Sequence, residues 1–132
     1  MTQCRGIRGA TTVADNEPQG IIMRTRELLE TIVEANQMDP EDIASVFFTT
    51  TRDVTAEYPA VAARQLGWFN QALLCGHEME VPGGLEKCIR VLIHWNTSKT
   101  PEQIQHIYIN GAEVLRPELA INENSEQKGN IQ

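Results

Sequence analysis

The stretch 87–97, Lys-Cys-Ile-Arg-Val-Leu-Ile-His-Trp-Asn-Thr, constrains the fold most tightly. Strand geometry sends successive side chains to opposite faces. Ile89, Val91, Ile93 and Trp95 therefore share a wholly apolar face, and Cys88, Arg90, Leu92 and His94 share the other. An arginine in so apolar a strand needs an anion, because burying an unpaired guanidinium costs several kcal/mol. No acidic residue of the strand itself can serve. Either a carboxylate from elsewhere in the fold meets Arg90, or a ligand does. Arg8, Arg64 and Arg116 stand in similarly unusual contexts.

The rest of the chain reads as alternating elements. Residues 3–12 form a glycine-spaced strand, in which glycine marks close backbone approach or a bulge. Residues 17–36 form a helix capped by Asp15 or Asn16, with Pro18 in its first turn and an apolar stripe of Ile21, Ile22, Leu28, Leu29, Ile32 and Val33. A capped turn spans 39–42. Residues 44–51 read as a strand, 57–66 as a short helix ending at Gly67, 72–75 as a short buried strand and 104–110 as a last strand. The fold class is α+β, a mixed β-sheet with two helices on one face. Its other face has to be covered, and an oligomer is the economical cover. Residues 1–119 form one domain. The polar stretch 120–132 reads as a flexible C-terminal tail.

At 132 residues the chain holds one core. A net charge of -7 argues against nucleic acid or an anionic membrane as partner. The cations are nevertheless biased, with arginine at 5, 8, 24, 26, 52, 64, 90 and 116 and lysine only at 87, 99 and 128. Guanidinium forks suit carboxylates and stay charged, which points to a small polycarboxylate ligand. Arg24 and Arg26 read as solvated helix positions. Three cysteines, Cys4, Cys75 and Cys88, and no secretory signal lead to the expectation of a reduced, cytoplasmic protein without a membrane span.

Should the strands neighbour one another, Arg8, Arg90 and Tyr108 can converge on one anion; a salt-bridge network between subunits would leave the same pattern. Cys75, His77 and Cys88 lack zinc spacing, so no metal is expected. A nucleophilic Cys75 would need a histidine within reach, and His77, His94 and His106 have no fixed direction. Glu78 precedes the Gly83-Gly84 turn and stands either at a cleft mouth or in solvent.

Six ordered blocks, taken together, resemble the AroH class of chorismate mutases: Arg5-Gly6-Ile7-Arg8-Gly9-Ala10-Thr11-Thr12, Pro59-Ala60 with Arg64, Cys75 with Glu78-Met79, Gly83-Gly84-Leu85-Glu86-Lys87-Cys88-Ile89-Arg90, His106-Ile107-Tyr108 and Val114-Leu115-Arg116-Pro117. The resemblance implies a homotrimeric pseudo-α/β-barrel with sites at the subunit interfaces, converting chorismate to prephenate on the route to phenylalanine and tyrosine. It implies that Arg8, Arg90 and Tyr108 hold the enolpyruvyl carboxylate and ether oxygen. Glu78 and the backbone around Cys75, including Gly76 and His77, would meet the ring hydroxyl. Tyr58, Ala60, Arg64 and Leu74 would form a wall from the neighbouring subunit, and Leu115 and Arg116 a closing C-terminal part. Arg90, Glu78 and Arg8 are the catalytic set it implies. Tyr58 replaces a frequent phenylalanine, Val61 a possible lysine, and the loop after Leu66 is one residue shorter.

The rearrangement so implied is unimolecular. It requires no cofactor, only a compact substrate pose and a cation for the charge growing on the ether oxygen. Two alternatives stand beside it: a non-catalytic trimeric sensor of small carboxylates that uses the same arginines and, by fold analogy only, an enamine or imine hydrolase on a related fold.

Overall fold

The structure, a computed structural model, describes residues 1–116. Seven main elements follow in chain order: β1 (Gln3–Thr12), α1 (Pro18–Asn36), β2 (Ile43–Thr50), α2 (Ala60–Gln65), β3 (Ala72–His77), β4 (Cys88–Thr97) and β5 (Ile107–Tyr108). Short 3₁₀ turns at Pro40–Asp42, Pro101–Gln103 and Ala112–Leu115 link or close them. The strands form one mixed sheet in the order β3-β2-β4-β1-β5. β4 is central and antiparallel to both β1 and β2, while β3 and β5 pair in parallel at the edges.

The apolar face of β4 is the inner face. Val91, Ile93 and Trp95 pack with Ile7 of β1, Val46 and Phe48 of β2, Leu28, Leu29 and Ile32 of α1, and Ala63 of α2. Both helices thus cover one side of the sheet, as the alternation required. Gly9 permits the closest approach. A β-carbon there would lie 2.8 Å from Ile32 Cδ1 and 3.1 Å from the Ile107 carbonyl oxygen. The opposite face carries Phe47, Leu74 and Leu92, which remain 39%, 60% and 37% exposed.

Several expected boundaries move, each for a local reason. The cap of α1 is Glu17, whose carboxylate accepts from the Gly20 amide. Asn16 is used elsewhere: its Oδ1 accepts from the Thr55 and Ala56 amides at 2.8 and 2.9 Å, tying the α1 entry to the loop after β2. α2 begins at Ala60, because Pro59 holds the N-cap position and the Glu57 side chain accepts from the Tyr58 amide. Gly67, at φ +88°, ends it as expected. β3 runs on to His77 and is an edge strand with half-exposed and exposed residues, not a buried one. The last strand shrinks to Ile107–Tyr108. Asn36 takes both backbone groups of Gln105, accepting from its amide at 2.8 Å and donating to its carbonyl at 2.9 Å, so residue 105 cannot join the ladder. Arg24 and Arg26 are half-buried rather than simply solvated, with Arg24 3.6 Å from Glu27 and Arg26 bonded to Gln65. The 120–132 tail and the 119 boundary lie outside the described residues.

Candidate active site

Arg90 projects from the middle of the sheet on its uncovered face. Its cross-strand neighbours are Ala10 on β1 and Thr49 on β2. Ala10 is fully buried, packed with Cys88, Tyr108 and Ala112. Glu78 follows β3 directly, and its amide donates to the Thr50 carbonyl at 2.7 Å, prolonging the β2–β3 ladder by one bond. Strand alternation then turns the Glu78 side chain toward Arg90. Glu78 Oε1 lies 3.7 Å from Arg90 Nη1, while Oε2 accepts from the Thr49 hydroxyl. A carboxylate from elsewhere in the fold therefore does approach Arg90. At 3.7 Å it stays outside the 2.7–2.9 Å range of charge-assisted hydrogen bonds. The Arg90 side chain remains 44% exposed, so its cation still faces outward.

A crevice of about 990 Å³ opens over this pair. Arg90, Cys88, Glu78, Leu115 and the loop from Met79 to Glu86 line it, with Arg52 and Asp53 at the far wall. The Gly83-Gly84 turn, with Gly83 at φ +81° and the Gly84 amide donating to Val81, folds the loop back toward β4. Cys88, below, is a neutral thiol: burial pushes its pKa up to about 11, Arg90 opposing and Glu78 and Asp53 adding to the rise. Arg52 and Glu80 pair at 3.4 Å on the solvent rim, where such contacts are weak.

Arg8 and Tyr108 share the face of Arg90. Arg8 lies opposite Leu92, one pleat from Ala10, and Tyr108 is the register partner of Ala10 on the other side of β1. Tyr108 is buried with Ala10, Cys88 and Ala112, against half-buried Leu85 and Leu115. The Arg8 amide donates to His106 Nδ1 at 2.9 Å, which fixes β1 against the chain entering β5. Neither Arg8 nor Tyr108 lines the crevice itself.

The remaining residues singled out from sequence lie elsewhere. Tyr58, Cys75, Gly76 and His77 line a second crevice of about 390 Å³ between the loop after β2 and the end of β3. His77 Nδ1 is 3.1 Å from Thr50 Oγ1, on the opposite side of the sheet edge from Glu78. Burial pushes the Cys75 thiol up, partly offset by a hydrogen bond with the Ala60 backbone. Arg64 is exposed in the last turn of α2, Leu74 faces outward from β3, and Arg116 follows the 3₁₀ turn that carries Leu115. Within one chain, then, the set divides between two places. Cys75, His77 and Cys88 do not meet, and no three His, Cys, Asp or Glu side chains among the described residues form a metal-holding group. Thr49, Arg52 and Asp53 were not distinguished by sequence. Thr49 lies in the run Thr49-Thr50-Thr51, whose β-branched character reads only as strand.

Fold and site together define a small mixed-sheet protein that holds an arginine and a carboxylate over an uncovered sheet face, suited to a compact anionic ligand. The family model for chorismate mutase type I matches residues 4–119. Chorismate mutase AroH of Bacillus subtilis is 44% identical over 123 residues, covering 92% of this chain and 97% of the relative. Chorismate mutase AroH of Thermus thermophilus is 47% identical over 116 residues, covering 87% and 95%. A solved chorismate mutase from Clostridium thermocellum superposes with a TM-score of 0.82 at 50% identity, over 83% of this chain and 98% of that one. The chain belongs to the chorismate mutase type I family, and its activity is the conversion of chorismate to prephenate. The sensor and hydrolase alternatives find no support.

Proposed function

We propose that the rearrangement takes place at Arg90, in a site completed by a neighbouring copy of the chain within a homotrimer. The observation that carries this reading is the division of the site residues. Arg90, Glu78 and Leu115 line one crevice, and Tyr58, Cys75, Gly76 and His77 line another on the far side of the β3 edge. No residue lines both crevices. A neighbouring copy brings Tyr58 to the substrate if its second crevice abuts the first crevice of the next chain. Glu78 and the backbone around Cys75 of one chain meet the ring hydroxyl. Ala60, Arg64 and Leu74, clustered near the second crevice through α2 and β3, supply the wall with Tyr58.

The chemistry asks for two things. The flexible dianion has to be held in its bent reactive pose, which converts lost conformational freedom into rate. The ether oxygen, which gains negative charge as the carbon–oxygen bond breaks, has to meet fixed positive charge. Arg90 performs the second task from a rigid central strand. Arg8 and Tyr108, on the same face, hold the enolpyruvyl carboxylate. Glu78 accepts from the ring hydroxyl, and Leu115 and Arg116 close over the ligand. The catalytic domain is residues 1–119. The enzyme works in the cytoplasm. Among the described residues no helix is long and apolar enough to cross a membrane.

Complementation tests the shared site. Arg90→Ala and Arg64→Ala proteins, each tested alone, should consume chorismate poorly when its ultraviolet absorbance is followed. Co-expressed, they should regain roughly a quarter of wild-type turnover, since mixed trimers contain some sites with both arginines intact. No recovery in verified mixed oligomers would place the whole site within one chain.

A further inference from the structure

We propose that Thr49 is a positioning residue for catalysis: its hydroxyl holds the Glu78 carboxylate away from Arg90, so that the guanidinium stays available to the substrate dianion. This rests on the reading of Arg90 and Glu78 as site residues. Three observations support it. Thr49 is the direct cross-strand neighbour of Arg90, so both side chains rise from adjacent points of the same sheet face. The Thr49 hydroxyl donates to Glu78 Oε2. The other oxygen, Oε1, stops at 3.7 Å from Arg90 Nη1, beyond the range of a closed ion-pair hydrogen bond.

A carboxylate this near an arginine ordinarily closes on it, often with two parallel bonds. Closure would cancel the charge that has to meet the substrate. The backbone alone does not prevent this. The Glu78 amide is pinned to the Thr50 carbonyl at 2.7 Å, but the side-chain torsions remain free to swing the carboxylate inward. Thr49 supplies the restraint at the carboxylate end. Its role follows from competition for one carboxylate: two donors, one neutral and one cationic, are anchored on neighbouring strands, and the neutral one holds Oε2 while Oε1 stops short of the cationic one. Without the hydroxyl, Glu78 moves onto Arg90, and substrate then has to break that pair before it binds. The loss falls on ground state and transition state alike, so it appears in KM.

The test uses the full chain with chorismate as substrate. Thr49→Val should raise KM about tenfold with kcat within about twofold, the scale of one hydrogen bond to a charged group. Thr49→Ser should restore KM to within about twofold of wild type. Should Thr49→Val fail to assemble, Thr49→Ala removes the same hydroxyl without the branched methyl groups. The distinguishing readout is the double mutant. With Glu78→Ala in place, removing the Thr49 hydroxyl should leave kcat/KM unchanged within about twofold, because there is no carboxylate left to restrain. A loss of the same size in both backgrounds would show a purely structural role and overturn the proposal, as would a Thr49→Val enzyme with wild-type KM. If Glu78→Ala alone retains wild-type kcat/KM, the site reading itself fails, and the role of Thr49 falls with it.

Discussion

Arg90 rises from the central strand with its side chain 44% exposed and its head 3.7 Å from one carboxylate, beyond hydrogen-bonding distance. The opposite face of the sheet beneath it is packed core. A fixed cation at a developing oxyanion is the main electrostatic contribution available to a reaction without proton transfer. Arg90→Ala should lower kcat by about a hundred- to a thousandfold, or about 3–4 kcal/mol, by the precedent of a lost oxyanion donor. A circular dichroism spectrum and melting temperature close to wild type would exclude unfolding as the cause, and near-normal kcat would remove Arg90 from the mechanism. The importance of Arg90 was legible in the sequence because alternation isolates one cation among apolar residues. Thr49 was not, since its hydroxyl matters only through a partner on another element. Asn16 and Asn36 were hidden for the same reason: their amides bind backbone 39 and 69 residues away.

Elements defined by periodicity were readable, and elements defined by a distant hydrogen bond were not. α1 and the central strands announced themselves through apolar spacing. The end of β3 and the brevity of β5 depend on what lies beside them. The Glu78 loop illustrates the dependence, because it is held at its far end by Asp53. That carboxylate accepts the Lys87 amide at 3.0 and 3.2 Å and the Thr51 hydroxyl at 2.5 Å, fastening the start of β4 to the turn after β2. Burial pushes the Asp53 carboxyl up, but those hydrogen bonds and the Lys87 charge together hold it below the ordinary value of 3.8. A group with a depressed folded pKa stabilises the fold above its unfolded value, and the benefit is lost as pH falls through the folded one. Asp53→Ala should therefore cost stability at pH 7, about 1 kcal/mol or less because the carboxylate is solvent-exposed. The difference between wild type and variant should persist down to about pH 4 and close below it. Chemical denaturation at several pH values measures this, and a difference that widens on acidification would mean the latch does not depend on the ionised carboxylate.

For the whole molecule the governing fact is asymmetry. One face of the sheet is closed by two helices, and the other presents Phe47, Leu74 and Leu92 around the site arginines. His94 stands edge-on to Phe47 at 5.6 Å, and its Nδ1 is 3.0 Å from Ser45 Oγ, so the polar groups of this face are organised rather than merely wet. A sheet face of this kind is usually covered, and further copies of the chain are one cover. The copy number came from family resemblance, since the sheet argument alone requires a partner without counting it. Leu92→Glu tests the arrangement on the face shared with Arg8 and Arg90, with assembly as the primary readout. In an isolated chain a half-exposed Leu92 can become glutamate at little cost. In an assembled interface the same change buries an unpaired charge, worth several kcal/mol at each contact. The expected outcome in sedimentation velocity is a trimeric wild type and a folded, monomeric Leu92→Glu protein that has lost most of its turnover with the neighbour's wall. A wild-type chain that sediments as a monomer at full activity would show that one copy suffices.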